Sequence, residues 1–174
     1  LALGSEATFV ARTVDSHRAH LTEVLTAAVS HRGAALVEIY QNCPIFNDAA
    51  FDALKAADGG LIPLVHGSPI TFGPDDSRGV VRGADGQLRI ADVAEVGLGR
   101  VLVHDAHAAD PGLAFALSRL TDTAGLATSP IGIFRDVQRP AYDDLARDQV
   151  ATAEPAERLA ALQATIAGTD TWTV

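Results

Sequence analysis

Between residues 7 and 40 the spacing of apolar positions switches from strand-like to helix-like and back. Ala7-Thr8-Phe9-Val10-Ala11-Arg12 is short, β-branched and aromatic, and predicts a strand. Leu21, Val24, Leu25, Ala28 and Val29 then fall at i, i+3, i+4, i+7 and i+8, the positions of one helical face. Asp15 or Ser16 is placed to cap the start of that helix. His31 and Arg32 suit its negative end, and Gly33 supplies a left-handed stop. Ala34 to Tyr40 is apolar almost without interruption, Glu38 apart, the pattern of a strand covered on both faces. Strand, helix and strand with short joints predict a parallel, right-handed βαβ unit.

Beyond Asp58-Gly59-Gly60 the texture changes. Leu61 to Val65 reads as a strand running into His66-Gly67-Ser68-Pro69, and Gly73-Pro74-Asp75-Asp76 as a loop. Val80 to Arg82 and Gln87 to Ile90 flank Gly83-Ala84-Asp85-Gly86, a β-hairpin signal. Val101 to Val103 and Ile131 to Phe134 are further short strands. Asp110-Pro111 opens a helix with Leu113, Leu117 and Leu120 on one face. Pro155 opens a last helix, with Leu159, Leu162 and Ile166 on one side and a stop at Gly168. The expected class is therefore α/β, with a boundary between residues 1–58, a parallel βαβ segment, and residues 59–174, a mixed α+β extension containing the hairpin. The first segment has too few strands to close a sheet, so something upstream is expected to complete it.

Charge narrows the function classes. A net charge of −9 argues against broad affinity for nucleic acid or anionic membrane. The sequence holds no apolar run of membrane-spanning length and no signal peptide. A single cysteine cannot build a disulfide framework and favours a reducing, cytoplasmic setting. The chain starts at Leu1 and contains no methionine, which reads as a piece of a longer protein. Gly97-Leu98-Gly99 lacks the third glycine and preceding strand of a dinucleotide fingerprint, and neither a nucleophile elbow nor a Walker loop occurs.

The chemistry-bearing residues are few. Cys43 lies where the second strand stops, at Gln41-Asn42-Cys43-Pro44. Taken alone it is either a small buried hydrophobe, the commoner fate of free cysteine, or one donor of a site completed elsewhere. Asn47 and Asp48 follow the same strand's carboxyl end, where open α/β sheets bind ligands, although Asn-Asp is also an ordinary turn pair. His104 and His107 flank Asp105 without a third metal ligand, so packing or subunit contact is the expected role, as for His66. Arg12, Arg135 and Arg139 are suited to carboxylate or phosphate, but pairing with neighbouring Asp136 or Asp143 is the default expectation.

A resemblance adds to this reading. Ala7 to Arg12, Glu38-Ile39-Tyr40-Gln41-Asn42-Cys43-Pro44-Ile45-Phe46-Asn47-Asp48, His104-Asp105-Ala106-His107, Ser118-Arg119-Leu120, and Pro130 to Arg135 with Arg139-Pro140-Ala141-Tyr142-Asp143-Asp144-Leu145 form an ordered series. Together they resemble the β subunit of 2-oxoacid:ferredoxin oxidoreductases, most of all the 2-oxoglutarate type, from Leu1 to about Gln149. Members of that family use thiamine diphosphate with magnesium to decarboxylate a 2-oxoacid. Electrons pass through an iron–sulfur cluster to ferredoxin, and coenzyme A takes the acyl group. The resemblance implies a thiamine-diphosphate-binding α/β fold of which residues 1–58 are the rear part, and an extension that covers the site and meets the α subunit. It makes Cys43 a ligand of a [4Fe-4S] cluster, and with it the ligand expected at the strand end near Asn47 and Asp48 becomes the cofactor or the substrate. The diphosphate loop and the other cluster cysteines would precede Leu1, so the chain by itself is expected to be inactive. The alternative is an interaction module with no redox centre and a buried free thiol.

Overall fold

The βαβ unit forms where the spacing predicts it. β1 (Phe9–Val14) and β2 (Ala35–Tyr40) pair in parallel from Phe9↔Ala35 to Val14↔Tyr40, joined by α1 (Arg18–Ser30). The computed structural model describes residues 1–56, 60–121, 127–150 and 154–169. They belong to two units, Leu1–Arg139 and Pro140–Val174. The boundary expected at 58/59 falls outside the described residues.

In the first unit the described elements continue with α2 (Asp52–Ala56), β3 (Leu61–Leu64), β4 (Thr71–Phe72), β5 (Arg78–Arg82), β6 (Leu88–Asp92), α3 (Val93–Val96), α4 (Gly112–Ser118) and β7 (Ser129–Asp136). The larger sheet has the order β2-β1-β7-β3, and β7 runs antiparallel to β1 but parallel to β3. The hairpin lies in a smaller antiparallel sheet, β4-β5-β6. Of the strand expected at Val101 to Val103, two bridges remain, Val101 to Val81 and Val103 to Pro69. Gly132 sits at φ +122°, and a Cβ there would meet the Leu64 carbonyl oxygen at 2.6 Å, so β3 and β7 approach closely because that residue is glycine.

Side-chain alternation along β1 builds a core on each face of the larger sheet. Val10 packs with Ile62, Phe72, Leu117 and Phe134, among others, on one side, and Phe9 and Ala11 pack with Val24 of α1 on the other. All six β1 residues are buried.

Four local expectations are corrected. β2 was expected to be covered on both faces; it is an edge strand, with Leu36 47% and Ile39 41% exposed on opposite sides of its pleat. The α1 cap position is His17 and makes no side-chain cap bond, because Asp15 is committed to the loop after β2. Of the five-residue apolar face of α1 only Val24 is buried, and the helix stops at an extended His31 rather than at Gly33. His31 is held there by Asp136 and Thr8, each at 2.9 Å, which ties the end of α1 to β7 and to the start of β1.

The second unit contains α5 (Tyr142–Val150) and α6 (Pro155–Ala167). α6 starts at Pro155 as predicted, with Glu154 and Glu157 forming a reciprocal capping box, and it ends at Gly168. Leu159, Leu162 and Ile166 are exposed.

Candidate functional site

β1 and β2 end side by side, and the Asp15 N–H donates to the Tyr40 carbonyl at 3.0 Å. The chain then leaves β2 into a loop at the carboxyl edge of a parallel pair, the location where α/β sheets hold ligands. Cys43 and Asn47 bridge across this loop, with the Asn47 N–H donating to the Cys43 carbonyl at 2.9 Å. Pro44, Ile45 and Phe46 are thereby forced to the tip.

The base of the loop is braced by a side chain that the sequence reading did not single out. Asn42 Nδ2 donates to Asp48 Oδ1 at 3.0 Å, while Asn42 Oδ1 accepts the Ala49 N–H at 2.9 Å. Asp48 Oδ1 takes the same Ala49 N–H at 3.0 Å. Ala49 is left-handed at φ +62°, a conformation an alanine holds only when its neighbours enforce it. Below, the Asn42 N–H donates to Asp15 Oδ2 at 3.3 Å, and Lys55 of α2 pairs with Asp15 at 2.7 Å. That lysine lowers the Asp15 pKa, against the opposing effect of burial. Tyr40 stacks on Phe51 at 4.6 Å with rings 10° apart, joining the loop's two ends.

Cys43 is half-buried rather than enclosed. The backbone N–H of Phe46 first, then that of Ile45, hold its thiol below the ordinary value, while desolvation pulls weakly the other way. Ile45 and Phe46 beside it are 84% and 90% exposed. The arrangement presents a thiolate-prone sulfur on a fixed loop behind an apolar tip. Of the two residues expected nearest a cofactor, Asp48 has one carboxylate oxygen engaged in the loop's own bonds, and Asn47 contributes its backbone to the bridge.

The arginines find other partners than those expected. Arg12 is buried, pairs with Glu38 at 2.7 Å, bonds Thr121 and Ser129, and lies over the rings of Tyr40 and Phe134. Arg135 is buried and donates to the carbonyls of Glu6, Ala7 and Ala109 at 2.8–3.0 Å. Arg139 pairs with Glu6 at 3.0 Å. Neither Asp136 nor Asp143 takes them: Asp136 binds His31 and Asp143 pairs with Arg147. His104 is buried, with Nε2 2.7 Å from the Ile133 carbonyl, and burial depresses its pKa. Among the described residues no three potential ligands converge on a metal position, and no helix is long and apolar enough to cross a membrane.

The resemblance to 2-oxoacid:ferredoxin oxidoreductase β subunits read from the motifs is borne out by comparison with known proteins. The chain is 53% identical over 178 residues to the 2-oxoglutarate oxidoreductase subunit KorB of Mycobacterium tuberculosis, an alignment taking in 100% of this chain and 47% of that one. It thus spans about half the length of that relative. A 48-residue stretch is 48% identical to the 2-oxoacid:ferredoxin oxidoreductase 2 β subunit of Aeropyrum pernix, covering 28% of this chain and 16% of that protein. Among solved structures, a 2-oxoglutarate:ferredoxin oxidoreductase from Magnetococcus marinus, with 2-oxoglutarate, coenzyme A and succinyl-CoA bound, shares the fold over 92% of this chain and 42% of that one. The TM-score is 0.53 and the identity 22%. No family model matches the chain.

Proposed function

We propose that the chain is the C-terminal portion of the β subunit of a 2-oxoglutarate:ferredoxin oxidoreductase, a cytoplasmic enzyme that converts its 2-oxoacid to an acyl-CoA and passes electrons to ferredoxin. The observation that carries this is the 53% identity to KorB sustained along the whole chain. The α subunit, ferredoxin, coenzyme A and 2-oxoglutarate are then its partners, and the parallel βαβ segment is the rear of the thiamine-diphosphate-binding domain. The apolar run of β2 supports the placement: its exposed faces would be covered by the preceding part of the same subunit.

The donor set at Cys43 fits one corner of a [4Fe-4S] cluster. Such a cluster takes four thiolates, and hydrogen bonds to sulfur tune its potential. Here one half-exposed sulfur is met by backbone N–H groups, and the remaining thiolates would come from outside this chain, which has a single cysteine. Asn47 and Asp48 would border thiamine diphosphate and its magnesium from the same loop. When bound, thiamine diphosphate supplies an electron sink for decarboxylation and the cluster a one-electron path. The chain's own part is mechanical and electrostatic: Asn42, Asp48 and Lys55 fix the loop, the N–H groups of Ile45 and Phe46 stabilise negative sulfur, and the exposed side chains of Ile45 and Phe46 offer apolar surface beside it.

The test is to assemble the complete β subunit with its α partner under anaerobic conditions. Ferredoxin reduction dependent on both 2-oxoglutarate and coenzyme A is the expected result. Turnover of a different 2-oxoacid would revise the substrate, and no turnover of any 2-oxoacid would reject the assignment.

A further inference from the structure

A cavity of about 350 Å³ lies over the α1 face of β7 and β3, away from the Cys43 loop. Its size suits a small organic ligand. Val24, Pro63 and Ile133 supply apolar wall, while His66 and His107 stand together at one side, ring centroids 4.3 Å apart and 53° inclined. These two rings are held by the backbone in complementary tautomers. His107 Nδ1 lies 2.6 Å from the Asp136 carbonyl, so it must donate, which leaves Nε2 an acceptor on the neutral ring. His66 Nδ1 accepts the Ala106 N–H at 3.3 Å, which leaves Nε2–H a donor. Asp105 Oδ1 also lies 3.4 Å from His66 Nδ1, but the hydrogen bond to that nitrogen comes from the Ala106 N–H. Glu23 and Asp136 complete the lining with negative charge.

We infer that this cavity binds a planar nitrogen heterocycle of the nucleobase type, neutral or cationic, through the donor of His66 and the acceptor of His107. Neighbouring acceptor and donor atoms on one ring edge match that pair, and apolar wall suits the ring faces. Asp136 is paired with His31, and the Glu23 carboxylate disfavours a phosphate or a 2-oxoacid by like charge. The inference is independent of the oxidoreductase reading, since it uses none of the residues at Cys43.

Calorimetric titration of the complete enzyme at pH 7.5 with adenosine, and separately with AMP, tests it. Val65→Trp fills the mouth of the cavity from an exposed position, so the fold tolerates it, and an unchanged melting temperature checks this. Saturable adenosine binding is expected, lost in Val65→Trp and about ten-fold weaker in His66→Phe. AMP should bind this cavity more weakly than adenosine, and Cys43→Ser should leave adenosine binding unchanged. Adenosine binding equal in the parent and Val65→Trp, or AMP binding as tightly as adenosine to the portion of sites that Val65→Trp removes, would overturn the inference.

Discussion

β1 and β2 are the same length, run parallel and match residue for residue, yet every β1 side chain is buried and no β2 side chain is. β1 has α1 against one face and the α4 side of the core against the other, with a neighbour on each edge. β2 has one neighbour, and its apolar residues meet solvent. A near-continuous apolar run in a parallel strand records burial in the folded protein. The contrast therefore separates what this chain stabilises by itself from what it offers to the rest of the proposed subunit.

Substitutions that break this contrast have the largest effects. Phe9→Ala should cost the isolated chain about 3–5 kcal/mol in denaturant unfolding. Ile39→Ala should cost less than about 1 kcal/mol there, because its side chain is already wet, and several-fold more in the complete subunit. Equal costs for the two in the isolated chain would remove the distinction. Next comes Arg135, which ties the start of the chain and the residue 109 region to β7 through three carbonyls. Arg135→Met strands those acceptors and should cost about 3 kcal/mol by the same measurement.

A pH dependence sharpens the comparison from the β1 side. Burial lowers the pKa of both His20, which bonds Thr13 of β1, and His104, so the folded state disfavours their charged forms. Their contribution to stability is fully present above the unfolded value near 6.5 and is lost as pH falls through the folded values. The unfolding midpoint should thus drop below about pH 6.5, with a shallower slope in His104→Gln. The smallest effect belongs to the Cys43 loop. Asp15 has a lowered pKa in the folded chain, so its pairing with Lys55 stabilises at pH above the unfolded carboxylate value and fades as pH falls through the folded one. Both groups are partly exposed, and Lys55→Met should cost under about 1 kcal/mol at neutral pH while speeding amide exchange at Asn42.

What the sequence made legible follows from period. The βαβ unit, the hairpin and α6 each carry a clean repeat or turn signal, and each forms within a few residues of its expected position. α5 was not predicted because its apolar stripe is short, Tyr142, Leu145 and Ala146 at i, i+3 and i+4; Arg147 reaching Asp143 at 2.6 Å and Asp144 at 3.5 Å supports it further. β4 is two residues long and depends on its partner in the small sheet. In the loop after β2, Cys43, Asn47 and Asp48 were candidates by residue type and position. Asn42 and Lys55 were not, since their roles come from contacts with Asp48 and Asp15 that folding alone brings about; Asn42 next to a strand end was the available hint. The partners of Arg12, Arg135 and Arg139 were missed for the same reason, because adjacency in sequence was taken for adjacency in space.

The assignment of Cys43 as a cluster ligand is tested most directly by electron paramagnetic resonance of the complete, anaerobically purified and reduced enzyme, comparing the parent with Cys43→Ser and with Asn42→Ala. The account predicts a four-iron signal in the parent, its loss or conversion in Cys43→Ser, and its retention with altered line shape in Asn42→Ala. An undiminished, unchanged cluster signal in Cys43→Ser would contradict it.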